Sequence, residues 1–195
     1  FNKKFYAPNN AVLVIAGQMD VAKTKEWVQK YFGPIPRGQE IKREKFVEDP
    51  ITTQLNATYE DPNIQKPMIV ASYRTPSMKT RDARVLDMIS TILSDGKSSR
   101  LYKKIVDDKK MALQIGAFNY SQEDYGMYLI YGLPMGQNTT GSIVKEIDEE
   151  IAKMQNELIS EKDFQKLQNK FESNYVSNNA SVEGIADNLA TYYML

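Results

Sequence analysis

Apolar residues recur along this chain with two periods, and each change of period marks a new element. Residues 11–17, Ala-Val-Leu-Val-Ile-Ala-Gly, follow the turn-forming Pro8-Asn9-Asn10 and predict a buried strand. Asp20 can cap a helix in which Val21, Thr24, Trp27, Val28, Tyr31 and Phe32 share one face, with Trp27 as its expected core anchor and Gly33-Pro34 as its stop. Residues 35–50 are charged, contain prolines and have no period, so they read as an extended surface connection. Period two returns at 53–59, where Thr53, Leu55, Ala57 and Tyr59 alternate with Gln54, Asn56 and Thr58; this predicts a strand with one buried face. A more apolar run over 68–73 predicts another, closed by Arg74-Thr75-Pro76.

Thr80 is the expected cap of a helix striped by Val85, Leu86, Ile89, Ile92 and Leu93. The polar joint that follows has Gly96 where a helix stop needs left-handed backbone, and Ser98 or Ser99 can cap the next helix, striped by Leu101, Tyr102, Ile105 and Val106. Beyond the charged turn Asp107-Asp108-Lys109-Lys110, Leu113, Ile115 and Ala117 alternate with Gln114, Gly116 and Phe118. Tyr125, Met127, Leu129, Tyr131 and Leu133 do the same after a turn at 121–124, so the two runs predict an antiparallel hairpin. The rest is helical: one stripe is Ile143, Ile147, Ile151, Met154 and Leu158, and a second, capped by Ser160, is Phe164, Leu167, Phe171 and Tyr175. After an interruption expected at Asn178-Asn179, Ser181 opens a last helix through Ile185, Leu189 and Tyr192. This order predicts an α+β two-layer sandwich, with an antiparallel or mixed sheet, helices packed on one face and a single domain over residues 1–195. The absence of an initiating methionine, and of a stop signal before Leu195, adds the expectation of a piece of a longer protein.

Composition narrows the chemistry. Lysine plus arginine and aspartate plus glutamate number 25 each, so no net charge favours nucleic acid or an anionic membrane. No apolar run approaches the roughly eighteen residues of a membrane span. The chain has no cysteine and no histidine, which removes thiol and imidazole catalysis and the usual zinc ligands. Gly96-Lys97-Ser98 has the ending of a phosphate-binding loop, but the position that needs the earlier glycine is Thr91, inside a helical stripe, so the nucleotide reading fails on spacing. Glu146, Asp148, Glu149 and Glu150 read as the solvated face of their helix.

Four stretches in this order resemble a known family. Phe5-Tyr6-Ala7-Pro8-Asn9-Asn10-Ala11 with Val14-Ile15-Ala16-Gly17, then Tyr31-Phe32-Gly33-Pro34-Ile35-Pro36, then the joint from Ile92 to Tyr102, then Ile159-Ser160-Glu161-Lys162-Asp163-Phe164 are similar to the non-catalytic domain of the pitrilysin-type (insulinase, M16) zinc peptidases and of mitochondrial processing peptidase relatives. The resemblance implies a fold of the LuxS and processing-peptidase type and a chamber, shared with a catalytic domain, that closes around a peptide. It implies zinc in that partner domain and none here, since the histidine-x-x-glutamate-histidine motif cannot be built without histidine. The partners it implies are the catalytic domain, on the same chain or another subunit, and peptide; nucleic acid and membrane contact by this segment are not expected. In other relatives the non-catalytic domain lends substrate an arginine and a tyrosine. No arginine follows Arg100, so that pair has no match on the strand offering Tyr125, Tyr128 and Tyr131, which suggests that it sits in another domain or subunit.

The candidate substrate or interface contacts are therefore Ser98, Ser99, Arg100 and Tyr102 at the joint and Tyr128 and Tyr131 on the strand. Each has a plainer alternative: Arg100 pairing with a carboxylate or capping carbonyls, Tyr102 packing in the core, and the tyrosine stripe serving as sheet packing. Two functions stay open, the peptide-enclosing half of a zinc peptidase and an assembly module of a relative without proteolysis.

Overall fold

The strongest alternation in the sequence becomes the sheet. In the computed structural model, which describes residues 1–44 and 46–194, strands β1 (Ile69–Pro76), β2 (Ala112–Tyr120) and β3 (Tyr125–Pro134) pair antiparallel in the order β1-β3-β2. The hairpin stands where the alternation put it, but a bulge between Ala112 and Gln114 turns Leu113 outward while Ile115 and Ala117 are buried, and the strand expected over 68–73 runs on through Arg74-Thr75-Pro76, which were expected to close it. Ile130 lies between Ala71 and Ala117 on its neighbours, so one large side chain is flanked by two small ones and can project into the helical layer.

That layer covers one face. Helix α3 (Arg81–Ser94), a π-helical turn (Tyr102–Asp108) and α4 (Thr140–Asn156) pack on the sheet, and Leu93, Leu101, Ile105, Ile115, Ile130, Ile143 and Ile147 form the core between the layers. Burial of each such side chain is worth roughly 1.5–3 kcal/mol. Thr80 caps α3 by accepting from Ala83 N, and Thr139 caps α4 by accepting from Ser142 N. The α+β architecture, an antiparallel sheet with helices on one face, is as the sequence predicts.

The chain divides into two compact units, Glu48–Asn169, which holds this sandwich, and Phe1–Val47 together with residues 170–195. The second unit contains α1 (Asn2–Phe5), a 3₁₀ turn (Pro8–Asn10), α2 (Val21–Phe32) and α6 (Val182–Met194). Helix α5 (Glu161–Ala180) contributes residues to both. Asp20 caps α2 by accepting from Lys23 N, Ser160 caps α5 by accepting from Asp163 N, and Ser181 caps α6 by accepting from Gly184 N. Asn178 and Asn179 do not interrupt; α5 runs through them to Ala180, and the break falls at Ser181.

Three expectations are corrected. Residues 11–17 and 53–59 are not strands, because among the described residues neither segment finds a neighbour to complete a ladder, and a strand exists only by pairing. Leu55 is 80% exposed and Tyr59 88%, so the predicted buried face of 53–59 is absent as well. Trp27 is 50% exposed rather than a core anchor, since its unit contains a single buried apolar residue, Ala7, among the described residues. The expected missing stop at Leu195 lies outside the described residues.

Candidate functional site

The sheet's other face is open. Alternation that sends Tyr128 and Ile130 into the core turns Tyr125, Met127, Leu129, Tyr131 and Leu133 away from it. Register places Val70, Ser72 and Arg74 of β1 beside them on one side and Gly116 and Phe118 of β2 on the other. Gln114 Nε2 donates to the Tyr131 hydroxyl at 3.1 Å, and the Phe118 and Tyr131 rings meet edge to face at 6.4 Å. The Tyr131 ring lies over Gly116, where an added Cβ would stand 2.4 Å from it, so glycine is what lets the aromatic lie flat on the sheet. Val70, Phe118, Tyr120 and Met127 are 42–51% exposed, too much for a face covered by another layer. At the edge, Arg74 pairs with Glu48, donates to the Asp49 carbonyl and lies 5.8 Å from the centre of the Tyr125 ring. The result is an apolar, aromatic strip with one pinned cation at its end.

The six residues chosen from sequence fall in three places. Ser98 is exposed and accepts from Lys166 Nζ at 2.7 Å, tying the joint to α5. Ser99 is buried and its hydroxyl donates to the Gly96 carbonyl at 2.7 Å, closing the turn instead of capping a helix. Gly96 has φ +77°, the left-handed stop expected of it. Arg100 is half-buried where the helix begins, and Tyr102 packs against the core. Tyr128, only 5% exposed, sits under the sheet on the α3 side; burial, and then the Asp87 charge, push its hydroxyl up to about 12 against the opposing effect of Ser90. Tyr131 alone of the six is on the open face.

A charge network also escaped the sequence reading. Glu146 and Glu150 are 7% and 5% exposed, not a solvated face, because the π-helical turn swings Lys104 onto α4. Lys104 Nζ stands 2.9 Å from Glu146 Oε2, 2.9 Å from Glu149 Oε2 and 3.2 Å from Glu150 Oε1, while Lys109 and Lys153 take the remaining sides. Burial would lower the Lys104 pKa, but its bonds to Glu149, Glu146 and Glu150 outweigh it and raise the value. Burial would raise the two carboxylates, and the lysines beside them reverse the sign: Lys109 and Lys104 hold Glu146 low, Lys153 and Lys104 hold Glu150 low. The i, i+4 spacing of Glu146 and Glu150 with Lys104 some forty positions earlier left no signal in the sequence; only the turn's hydrogen-bond pattern creates it.

These carboxylates do not fit a zinc ion. Among the described residues no three His, Cys, Asp or Glu side chains are grouped to hold a metal, and the buried pair is already neutralised by lysine. With no histidine or cysteine in the chain, the strip offers neither an imidazole nor a thiol.

Known proteins resemble this chain in sequence and in fold. The sequence profile of the peptidase M16 inactive domain matches residues 1–171. The chain is 25% identical over 194 residues to the zinc protease PqqE of Helicobacter pylori, covering 98% of this chain and 44% of that protein. It is 23% identical over 166 residues to the uncharacterized zinc protease YmxG of Bacillus subtilis, covering 83% and 38%. It thus spans less than half the length of these relatives. In fold it is similar to the crystal structure of a protease from Helicobacter pylori, with a TM-score of 0.81 and 23% identity over 98% of this chain and 47% of that one. A peptidase M16 inactive domain from Pseudomonas fluorescens superposes with a TM-score of 0.56 and 13% identity over 64% of this chain and 29% of that one.

Proposed function

This chain belongs to the peptidase M16 family as an inactive domain, and from that premise we propose that it is the non-catalytic half of a zinc metallopeptidase, which encloses peptide substrate while a catalytic M16 half bears the metal. The observation that supports the reading most directly is the apolar strip on the open face, where Val70, Phe118 and Met127 are exposed and Leu129 and Tyr131 half-buried between them. An extended peptide has the same period of two as a strand, so alternate apolar side chains can lie along this pleat and displace water from it. The exposed Phe118, Val70 and Met127 side chains suit such contact. Zinc bound in the catalytic half would supply the Lewis acid and activated water for hydrolysis. The residues of this chain would hold the peptide extended, exclude solvent from one side and limit its sliding. Tyr131, fixed by Gln114 and Phe118, is the contact residue of this strip, and Arg74, already held by Glu48 and the Asp49 carbonyl, bounds it at its end. Ser98, Ser99, Arg100 and Tyr102 shape the joint beneath the other face.

The test assembles the chain with its catalytic half and measures peptide hydrolysis by Leu129→Asp and Tyr131→Ala variants. Loss of apolar contact should raise KM about tenfold, equivalent to about 1.4 kcal/mol, with kcat within about twofold and zinc content unchanged. An unaltered kcat/KM in both variants would sink the reading. An assembled protein that neither binds zinc nor cleaves peptide would establish the assembly-module alternative instead.

A further inference from the structure

Gly116 stands inside β2, where a glycine leaves the strand less stable than a residue with a side chain would. Its backbone does not call for glycine: among the described residues the glycines with positive φ are Gly17, Gly96 and Gly136. What Gly116 permits is the seat of one ring. It lies on the open face and is nonetheless buried, because the Tyr131 ring covers it; a Cβ there would stand 2.6 Å from Tyr131 Cζ and 2.6 Å from the hydroxyl oxygen. With one face of the ring against the strand, the other is turned outward. Gln114, two positions back on β2, holds the hydroxyl, and Phe118, two positions on, presents a ring that is 43% exposed and inclined at 64° to that of Tyr131. An aromatic floor and an aromatic wall therefore meet in a corner over β2.

We propose that this corner is a specificity site that takes an aromatic side chain of the extended peptide, and that Gly116 is a positioning residue, acting by keeping the Tyr131 ring flat. The proposal rests on the peptide-enclosing reading above and names the class of side chain that the strip selects. Two observations choose the occupant. A ring stacked on Tyr131 and set against Phe118 gains the offset and edge-to-face contacts that aromatic pairs prefer. Charge argues against an ionised side chain: of the strand residues on the open face only Arg74 is charged, and it is paired with Glu48. A lysine or glutamate entering the corner would lose its hydration with no counter-charge to replace it.

The experiment takes the chain assembled with its catalytic half and a peptide that the assembly cleaves, with phenylalanine, alanine or lysine placed in turn at each position. At one position phenylalanine should give a KM about tenfold below that of alanine or lysine, with kcat within about twofold. Gly116→Ala should remove this preference, because the atoms in the way belong to the end of a movable side chain and the ring, not the sheet, gives way. Tyr131→Ala should remove it equally, Tyr131→Phe should retain it, and the Gly116→Ala, Tyr131→Ala double variant should lose no more than either alone, since Gly116 acts only through the ring. A phenylalanine preference that survives Gly116→Ala and Tyr131→Ala overturns the proposal, as does lysine preferred to phenylalanine at that position. Losses that add in the double variant overturn the role given to Gly116. If Leu129→Asp and Tyr131→Ala raise the KM of every peptide alike, the peptide reading stands and the selectivity of the corner falls; if neither alters kcat/KM, both fall.

Discussion

The units Glu48–Asn169 and Phe1–Val47 with residues 170–195 are built from comparable amphipathic material, but bury it very differently. In the first, three strands supply each other's hydrogen bonds and a helical layer closes over Ile130, Ile143, Ile147 and Leu101, each at most 1% exposed. In the second, α2 has a helical stripe as clear as that of α3, and residues 11–16 have a strand pattern as apolar as β3, yet Trp27, Tyr31, Leu13 and Ile15 remain exposed. The difference teaches that amphipathic pattern specifies which side will be buried and leaves open what will bury it. Pairing and layering come from whichever surface is within reach, and residues 11–16 find none among the described residues.

The comparison can be broken most forcefully at the cores. In the 195-residue chain, Ile130→Ala should cost about 3–4 kcal/mol, read as a fall in the urea midpoint, because it empties a site between two alanines that cannot close the gap. Trp27→Ala, a larger deletion, should cost less than about 1 kcal/mol there, since half its surface is already in water. A Trp27→Ala loss as large as that of Ile130→Ala would erase the contrast.

Next comes the charge network, present only in the sandwich unit. Lys104→Met should destabilise by about 3 kcal/mol near neutral pH, because it leaves Glu146 and Glu150 buried with less compensation. The sign with pH follows from the lowered carboxylates: their contribution is full above the ordinary carboxylate value of 4.5 and is lost as pH falls through the depressed values. The raised Lys104 contributes fully below its ordinary 10.5 and loses that contribution only as pH climbs beyond it. Urea midpoints of native and Lys104→Met protein should therefore converge in acid, below the ordinary carboxylate range. A gap that stayed constant down to pH 2 would assign the loss to packing instead.

The smallest expected effect is at the joint. Gly96→Ala meets no neighbouring atom, so its whole cost is the left-handed backbone at φ +77°, about 1 kcal/mol by thermal or urea unfolding. A larger loss would reveal a contact that the joint makes through Ser98 and Lys166.

Local signals were legible without tertiary information. Asp20, Thr80, Ser160 and Ser181 each announce a helix start, because the capping bond spans only three residues. Tyr125 to Leu133 announce a strand by period two, and Gly96 announces a turn by the freedom of its backbone. Tyr131 was named from the same alternation that put it on the open face, but Tyr128 was named with it and lies on the opposite side, since which side of a sheet receives the helices is not written in the strand. Lys104 and Glu146 are 42 positions apart and had no shared motif to betray them.

By itself the sequence determined the helices and their caps, the hairpin, the family, and the exclusion of histidine and cysteine chemistry from this chain, because each depends on residue identity or on contacts a few positions apart. The tertiary structure alone decided which face of the sheet stayed open, that Glu146 and Glu150 are buried on lysine, and that 11–17 and 53–59 lack ladders. Those outcomes depend on which distant surface meets which, and on the free energy of burying a charge or leaving an amide unpaired once they meet.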